Sequence, residues 1–361
     1  MSDAYAVLLE KLSYPESPRL RKVLENLMTP NQAKMAAALP GTAAEVAEKT
    51  GFEAATIQEE LDSLFFKGVV FVRGDFVTRE YFRFARGTMQ LHDATQATQK
   101  RDIVRDKEFY ELWHDFCIKE WYPDIGKQQA ALPKAHTRIV PAYKSIKDLP
   151  DMQPYEDFRE IMKAQELIAI VPCACRYRTA AIGEPCECFD EEAGWACLQL
   201  GRAADYVIKR GSGIELSTEE ALELVDRLED DGLLHIWPNS SAMTGIHTSC
   251  QCCRDCCMSY VPMDMLDLPM DKVWEKSRYE AVVDQETCDG CQDCVERCHF
   301  DAIEMIKPEG APKGKKSKKL KAMIEPDKCW GCGVCVLVCN EVHSLTMKLV
   351  RPLEHIPGAV A

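Results

Sequence analysis

Two stretches near the C-terminus decide how the chain is read: Cys288-Asp289-Gly290-Cys291-Gln292-Asp293-Cys294-Val295-Glu296-Arg297-Cys298 and Cys329-Trp330-Gly331-Cys332-Gly333-Val334-Cys335-Val336-Leu337-Val338-Cys339. Both have the spacing C-x2-C-x2-C-x3-C. Three thiolates on a tight loop can take three irons of one iron–sulfur cube. The fourth, carried onto the following helix, reaches toward a different cube. Gly290, Gly331 and Gly333 suit a backbone that must wrap closely around sulfur.

All eight positions match, so the segment resembles the bacterial-type two-cluster ferredoxins. The resemblance implies crossed ligation: Cys288, Cys291, Cys294 and Cys339 hold one 4Fe-4S cluster, and Cys329, Cys332, Cys335 and Cys298 the other. Val283, Ile303, Ile324, Leu345 and Met347 supply short flanking strands. The sequence departs from the family where proline usually follows the fourth cysteine, because His299 and Asn340 stand there. Both can donate hydrogen bonds, and donors near cluster sulfur raise the reduction potential. A protonatable His299 would link potential to pH; a solvent-facing histidine would have no role. Between the motifs, Lys307, Lys313, Lys315, Lys316, Lys318, Lys319 and Lys321 stand among Gly and Pro. That composition reads as an exposed loop, either a solvated surface or a docking site for an acidic partner.

Working toward the N-terminus, a second set of cysteines falls into two groups. Cys173, Cys175, Cys186, Cys188 and Cys197 form one, and Cys250, Cys252, Cys253, Cys256 and Cys257 the other. So many soft thiol ligands in one segment call for a metal: an iron–sulfur cluster or structural zinc. Between the groups, Ser217 and Glu220 form a capping box that opens a helix through Ala221, Leu224, Val225 and Leu228, stopped by Gly232. His235 and His247 lie close by as ligands or as hydrogen-bonded core residues.

Val171-Pro172-Cys173-Ala174-Cys175-Arg176, Pro185-Cys186, Ala196-Cys197-Leu198, Ala203-Ala204-Asp205-Tyr206 and Cys250-Gln251-Cys252-Cys253 follow one another in this order. The arrangement resembles a family of larger ferredoxin-like iron–sulfur proteins of anaerobic bacteria and archaea. The resemblance implies metal ligation by Cys173, Cys175, Cys186 and Cys197, with Cys188 additional. It is compatible with a second set of Cys250, Cys252, Cys253 and Cys256, leaving Cys257 spare. It also implies an electron carrier working beside other redox proteins.

The N-terminal part has another character. Thr29-Pro30-Asn31-Gln32 and Thr42 with Glu45 are capping boxes, and Ile57, Leu61, Leu64 and Phe65 share one face of a third helix ending at Gly68. Val69 to Val72, a turn at Arg73-Gly74-Asp75, and Phe76-Val77 read as a hairpin. Three helices and a hairpin resemble a winged-helix domain. Its third helix would face DNA, yet it carries Glu53, Glu59, Glu60 and Asp62 against Lys67 alone, which favours protein contact over phosphate. Trp113, Phe116, Trp121 and Tyr122 read as buried packing, and lone Cys117 as a small buried hydrophobe.

The expected architecture is therefore α+β and multidomain: a winged-helix-like domain (1–85), a connecting segment (86–154), a mostly helical Cys-rich metal- or cluster-binding domain (155–270) and a bacterial-type ferredoxin fold (271–361). Across 361 residues the net charge is −14, which speaks against non-specific nucleic-acid binding. The chain has no apolar run long enough to span a membrane and no secretory pattern at Met1 to Tyr5, so a cytoplasmic location is expected. No dinucleotide fingerprint or P-loop appears. The expected function is a redox subunit relaying single electrons through two or more 4Fe-4S clusters, with a flavoprotein or metal-cofactor oxidoreductase as partner. The alternatives are a redox-sensing regulator using the winged helix, or a catalyst acting at the middle cysteines.

Overall fold

The computed structural model describes residues 3–188, 194–240, 243, 248–307 and 320–356. Its helices and strands are mixed, consistent with the expected α+β class. The chain divides into two compact units, Met1–Asp124 with Ala169–Glu215, and Ile125–Ile168 with Leu216–Ala361. The Cys-rich segment 155–270 is thus shared between the units, its first cysteine group in one and its second in the other.

The first unit begins with capped helices. Ser17 accepts from Leu20 N at 3.0 Å to open helix Pro18–Leu27, and Thr29 and Thr42 form complete capping boxes at helices Pro30–Ala37 and Ala43–Thr50. Such caps satisfy backbone N–H groups that a helix start leaves unpaired. Helix Ala54–Lys67 buries Ile57, Leu61, Leu64 and Phe65, as the periodicity implies. It leads into strand Val70–Arg73, which pairs antiparallel with Tyr81–Phe84. The return strand lies later than the sequence reading put it. Asp75 Oδ1 accepts from Val77 N at 2.7 Å and from Thr78 N at 2.8 Å, holding Phe76 and Val77 in the turn. Gly41 adds an antiparallel bridge to Phe82, tying the loop between helices Pro30–Ala37 and Ala43–Thr50 to the hairpin.

Trp113, Phe116, Trp121 and Tyr122 are buried, matching their expected packing role. Cys117 is also fully buried, but it is more than a small hydrophobe. Burial opposes its ionisation, yet Arg178 and a hydrogen bond with His92 hold its thiol below the usual value.

The middle segment, expected to be mostly helical, carries strands as well as helices. Trp195–Leu200, with all but the first residue of Ile168–Pro172 and all but the last of Ile214–Leu216, are strands of the first unit; Leu234–Pro238 and Thr248–Cys252 are strands of the second. Short apolar runs such as Ile168 to Val171 and Leu233 to Trp237 are bounded too closely to make helices, and they are buried as strands. The helix Thr218–Asp230 forms as read, with its Ser217 and Glu220 capping box.

In the second unit, Leu234–Pro238 pairs antiparallel with Thr248–Cys252 on one side and with Thr137–Val140 on the other. Trp274–Glu275 then pairs parallel with Thr137–Val140. The register sets Leu234 opposite Cys252, His235 opposite Gln251 and Ile236 opposite Cys250. The C-terminal part of this unit repeats itself. Two antiparallel ladders, Tyr279–Val283 with Leu345–Leu349 and Ile303–Ile306 with Lys321–Ile324, flank two four-residue helices, Asp293–Glu296 and Val334–Leu337. The ladders contain every apolar residue expected to make strands there. Glu156 and Arg278, each only 3% exposed, form an ion pair at 2.9 Å that fastens residues 154–156 to the start of the first ladder.

Candidate iron–sulfur sites

The loops of the two cysteine motifs line two cavities. Cys288, Cys291, Cys294 and Cys339 line one, with Val283, Met305, Ala322, Val338 and Leu345 completing an apolar wall. Cys298, Cys329, Cys332 and Cys335 line the other, with Phe300, Trp330, Ile303 and Ile324. Each cavity therefore takes three thiols from one motif and the fourth from the other. The cause is local geometry: the short helix that contains the third cysteine carries the chain, and with it the last cysteine, away from its own loop.

The cysteines of the two cavities differ in exposure, and Cys291 of the first is exposed. In the second, Cys329, Cys332 and Cys335 are all buried. Ala142 N donates to Cys332 O at 2.9 Å, and Ser277 Oγ donates to Gly331 O at 2.7 Å, so the loop lies flat against two neighbouring segments. Only glycine fits there. Gly331 has φ +69° and a Cβ on it would stand 2.1 Å from Ser277 Oγ; Gly333 has φ +78° and its Cβ would stand 2.0 Å from Ser145 Oγ.

Electrostatics show what these cavities lack on their own. Burial, together with the neighbouring Cys291, Cys288 and Cys339, pushes the Cys294 thiol up to about 11. Burial and the neighbouring Cys298 and Cys329 push Cys332 and Cys335 well above the ordinary value. Thiols buried in this way resist becoming thiolates unless positive charge is placed among them. A cationic iron–sulfur core held by thiolates is a group this donor set fits. Cys294 of one cavity and Cys335 of the other interact electrostatically, and the two short helices pack together, so the sites are adjacent.

His299 is neither solvent-facing nor a free proton carrier. It is buried, its Nε2 lies 2.7 Å from Gly232 O, and burial lowers its tendency to hold a second proton. Asn340 is exposed. Residues 308–319, most of the lysine-rich insertion, lie outside the described residues, as does His247.

In the first unit, Cys173 is the N-cap of helix Ala174–Ala181, with its N–H donating to Gly194 O at 2.8 Å, and Cys175 is buried on that helix. Cys186 is buried, Cys188 partly so, and Cys197 on strand Trp195–Leu200 accepts from Gln199 Nε2 at 3.1 Å. In the second unit, the strand ending at Cys252 and the turn after it bring thiols together in pairs. Cys252 Sγ lies 3.3 Å from Cys257 Sγ, and Cys253 Sγ 3.4 Å from Cys256 Sγ. Cys257, read as spare, is the partner of Cys252; the symmetry of Cys-Cys-x-x-Cys-Cys was the signal for it. Cys250 also stands beside Cys252 but is itself exposed. His235 is a core residue, with Nε2 3.2 Å from buried Glu229 and Nδ1 bonded to Gln251.

Residues 287–341 match the family model of the 4Fe-4S dicluster domain. No curated protein and no solved structure matches the chain. The matched segment is a ferredoxin-type iron–sulfur unit. Among the described residues no helix is long and apolar enough to cross a membrane.

Proposed function

We propose that the chain is an electron-transfer subunit that takes up and releases electrons one at a time through two 4Fe-4S clusters in its C-terminal part. The observation that carries this reading is the gathering of four thiols, drawn from both motifs, around each of two adjacent cavities. Bound there, such clusters supply reversible one-electron redox chemistry. Cys288, Cys291, Cys294 and Cys339 would hold the solvent-side cluster, and Cys329, Cys332, Cys335 and Cys298 the shielded one.

The residues around the sites have separate tasks. Exposure at Cys291 gives a redox partner close approach to the solvent-side site. Phe300, Trp330, Ile303 and Ile324 keep water from the shielded site, and fixed backbone at Gly331 and Gly333 limits rearrangement between redox states. Cys294 and Cys335 stand on the two short helices that pack together between the sites. The partner would be a flavoprotein or a metal-cofactor oxidoreductase. The middle cysteines would hold at least one further metal centre.

The N-terminal three helices and hairpin would serve as a winged-helix-like contact domain for protein. Glu53, the N-cap of helix Ala54–Lys67, and Glu59 on that helix are exposed, while Asp62 is paired with Arg79 at 2.5 Å and Glu60 accepts from Gln32 at 2.7 Å. That face would repel phosphate. Stoichiometric photoreduction of anaerobically purified protein, followed by optical bleaching and transfer to an added one-electron acceptor, tests the function. Bleaching with transfer supports it; a protein that is colourless and accepts no electrons overturns it.

A further inference from the structure

We infer that the turn at Cys252–Cys257 holds a third redox centre, an iron–sulfur cluster wired to the shielded ferredoxin site through Tyr260. The inference rests on the two-cluster reading above and adds to it a site and a route. Both lie wholly within the second unit.

The ligands are already assembled. Cys252, Cys253, Cys256 and Cys257 are buried, and Cys250 stands beside Cys252. The sulfur separations of 3.3 and 3.4 Å are well beyond the length of a disulfide bond, about 2 Å. Two thiolates on one tetrahedral metal with bonds of about 2.3 Å stand roughly 3.7 Å apart, so each pair is close enough to share a metal.

The route is equally specific. Cys252 and Cys257 belong to the same apolar cluster as Phe300, Trp330 and Cys332, with Cys298 and Tyr260 packed against it. Phe300 and Trp330 stack at 5.2 Å and line the shielded cavity. Tyr260 packs on Phe300 with ring centroids 6.2 Å apart. Tyr260 is also tied at both ends. Its N–H donates to Cys257 O at 3.0 Å, and its hydroxyl donates to His299 O at 2.9 Å, one residue from Cys298. Two hydrogen bonds and a short run of covalent bonds thus join a thiol of the turn to a thiol of the shielded site. His299, held by Gly232 O, fixes the acceptor end.

An electron loaded from a low-potential donor at the solvent-side site would pass to the shielded site and on to this turn. One electron enters as the donor is oxidised by one, so no further reactant is needed.

The test uses the full chain, reconstituted anaerobically with iron and sulfide. The wild type is expected to hold iron and acid-labile sulfide in excess of the about eight of each that two cubes contain. Cys252→Ser with Cys257→Ser should lose that excess while the reduced two-cluster paramagnetic signal and the circular dichroism remain. Tyr260→Phe should keep all of the iron but slow oxidation of the third centre after the C-terminal clusters are oxidised. Iron limited to two cubes, zinc at the turn, or excess iron that survives the double substitution would each overturn the third centre. An unchanged rate in Tyr260→Phe would overturn the route. Loss of all iron in the wild type would instead refute the two-cluster reading, so the two failures are distinguishable.

Discussion

Cys298 shares a cavity with Cys329, a residue of the other motif, while Cys294, its near neighbour in sequence, lines the other cavity. Crossed pairing of this kind makes each loop dependent on the other. It also means that substituting the fourth cysteine of either motif should damage the site that the other motif's loop forms.

Cys298→Ser is therefore expected to disturb the shielded site, and Cys339→Ser the solvent-side site. Cys291→Ser is the reference for solvent-side damage. Paramagnetic resonance of the three reduced variants checks this: Cys339→Ser should match Cys291→Ser, and Cys298→Ser should differ from both. If Cys298→Ser instead reproduced Cys291→Ser, the crossed assignment would be wrong.

Gly331→Ala should destabilise the second unit far more than Gly74→Ala destabilises the first. Both glycines have positive φ, so each alanine meets backbone strain of roughly 1 kcal/mol. A Cβ at Gly74 meets nothing within 4 Å, whereas one at Gly331 collides with Ser277 and Tyr279. Thermal unfolding of both variants, followed by circular dichroism, should show the larger loss for Gly331→Ala.

These features were unequally legible in the sequence. The eight C-terminal cysteines, the flanking strands, and the capping boxes at Thr29, Thr42 and Ser217 could be read directly, because each depends on spacing within one short stretch. The strands around Ile168 and Leu234 were hidden, since a brief apolar run does not distinguish a buried strand from part of a helix. The hairpin return was misplaced because Asp75 folds back on Val77 and Thr78, a local hydrogen bond that outweighs the β-propensity of Phe76 and Val77. The pairing of Cys252 with Cys257 depends on how a turn directs side chains, which spacing alone leaves open. The burial of His299 follows from the approach of Gly232, distant in sequence.

Glu156→Ala should be among the most damaging changes outside the cysteine sites. It leaves the Arg278 guanidinium, 3% exposed, without its carboxylate, and removes the acceptor of the Tyr279 hydroxyl at 3.2 Å. Breaking one side of a buried pair costs about 3–5 kcal/mol. Denaturant unfolding should show a loss of that order, and Glu280→Ala, whose pair with Arg351 is more exposed, a smaller one.

The acidic face of helix Ala54–Lys67 should fail to bind duplex DNA even at low ionic strength, where non-specific attraction is strongest. A gel-shift titration of the whole chain from low to moderate salt checks this. Retardation that weakens steeply with salt would favour the regulator reading over the electron-transfer one.

The most direct test of the two-cluster account is iron and acid-labile sulfide analysis of anaerobically prepared protein, joined to paramagnetic resonance after reduction. The account predicts at least about eight of each per chain and a spectrum broadened by coupling between two adjacent reduced cubes. Stoichiometric zinc with no sulfide and no such signal would contradict it.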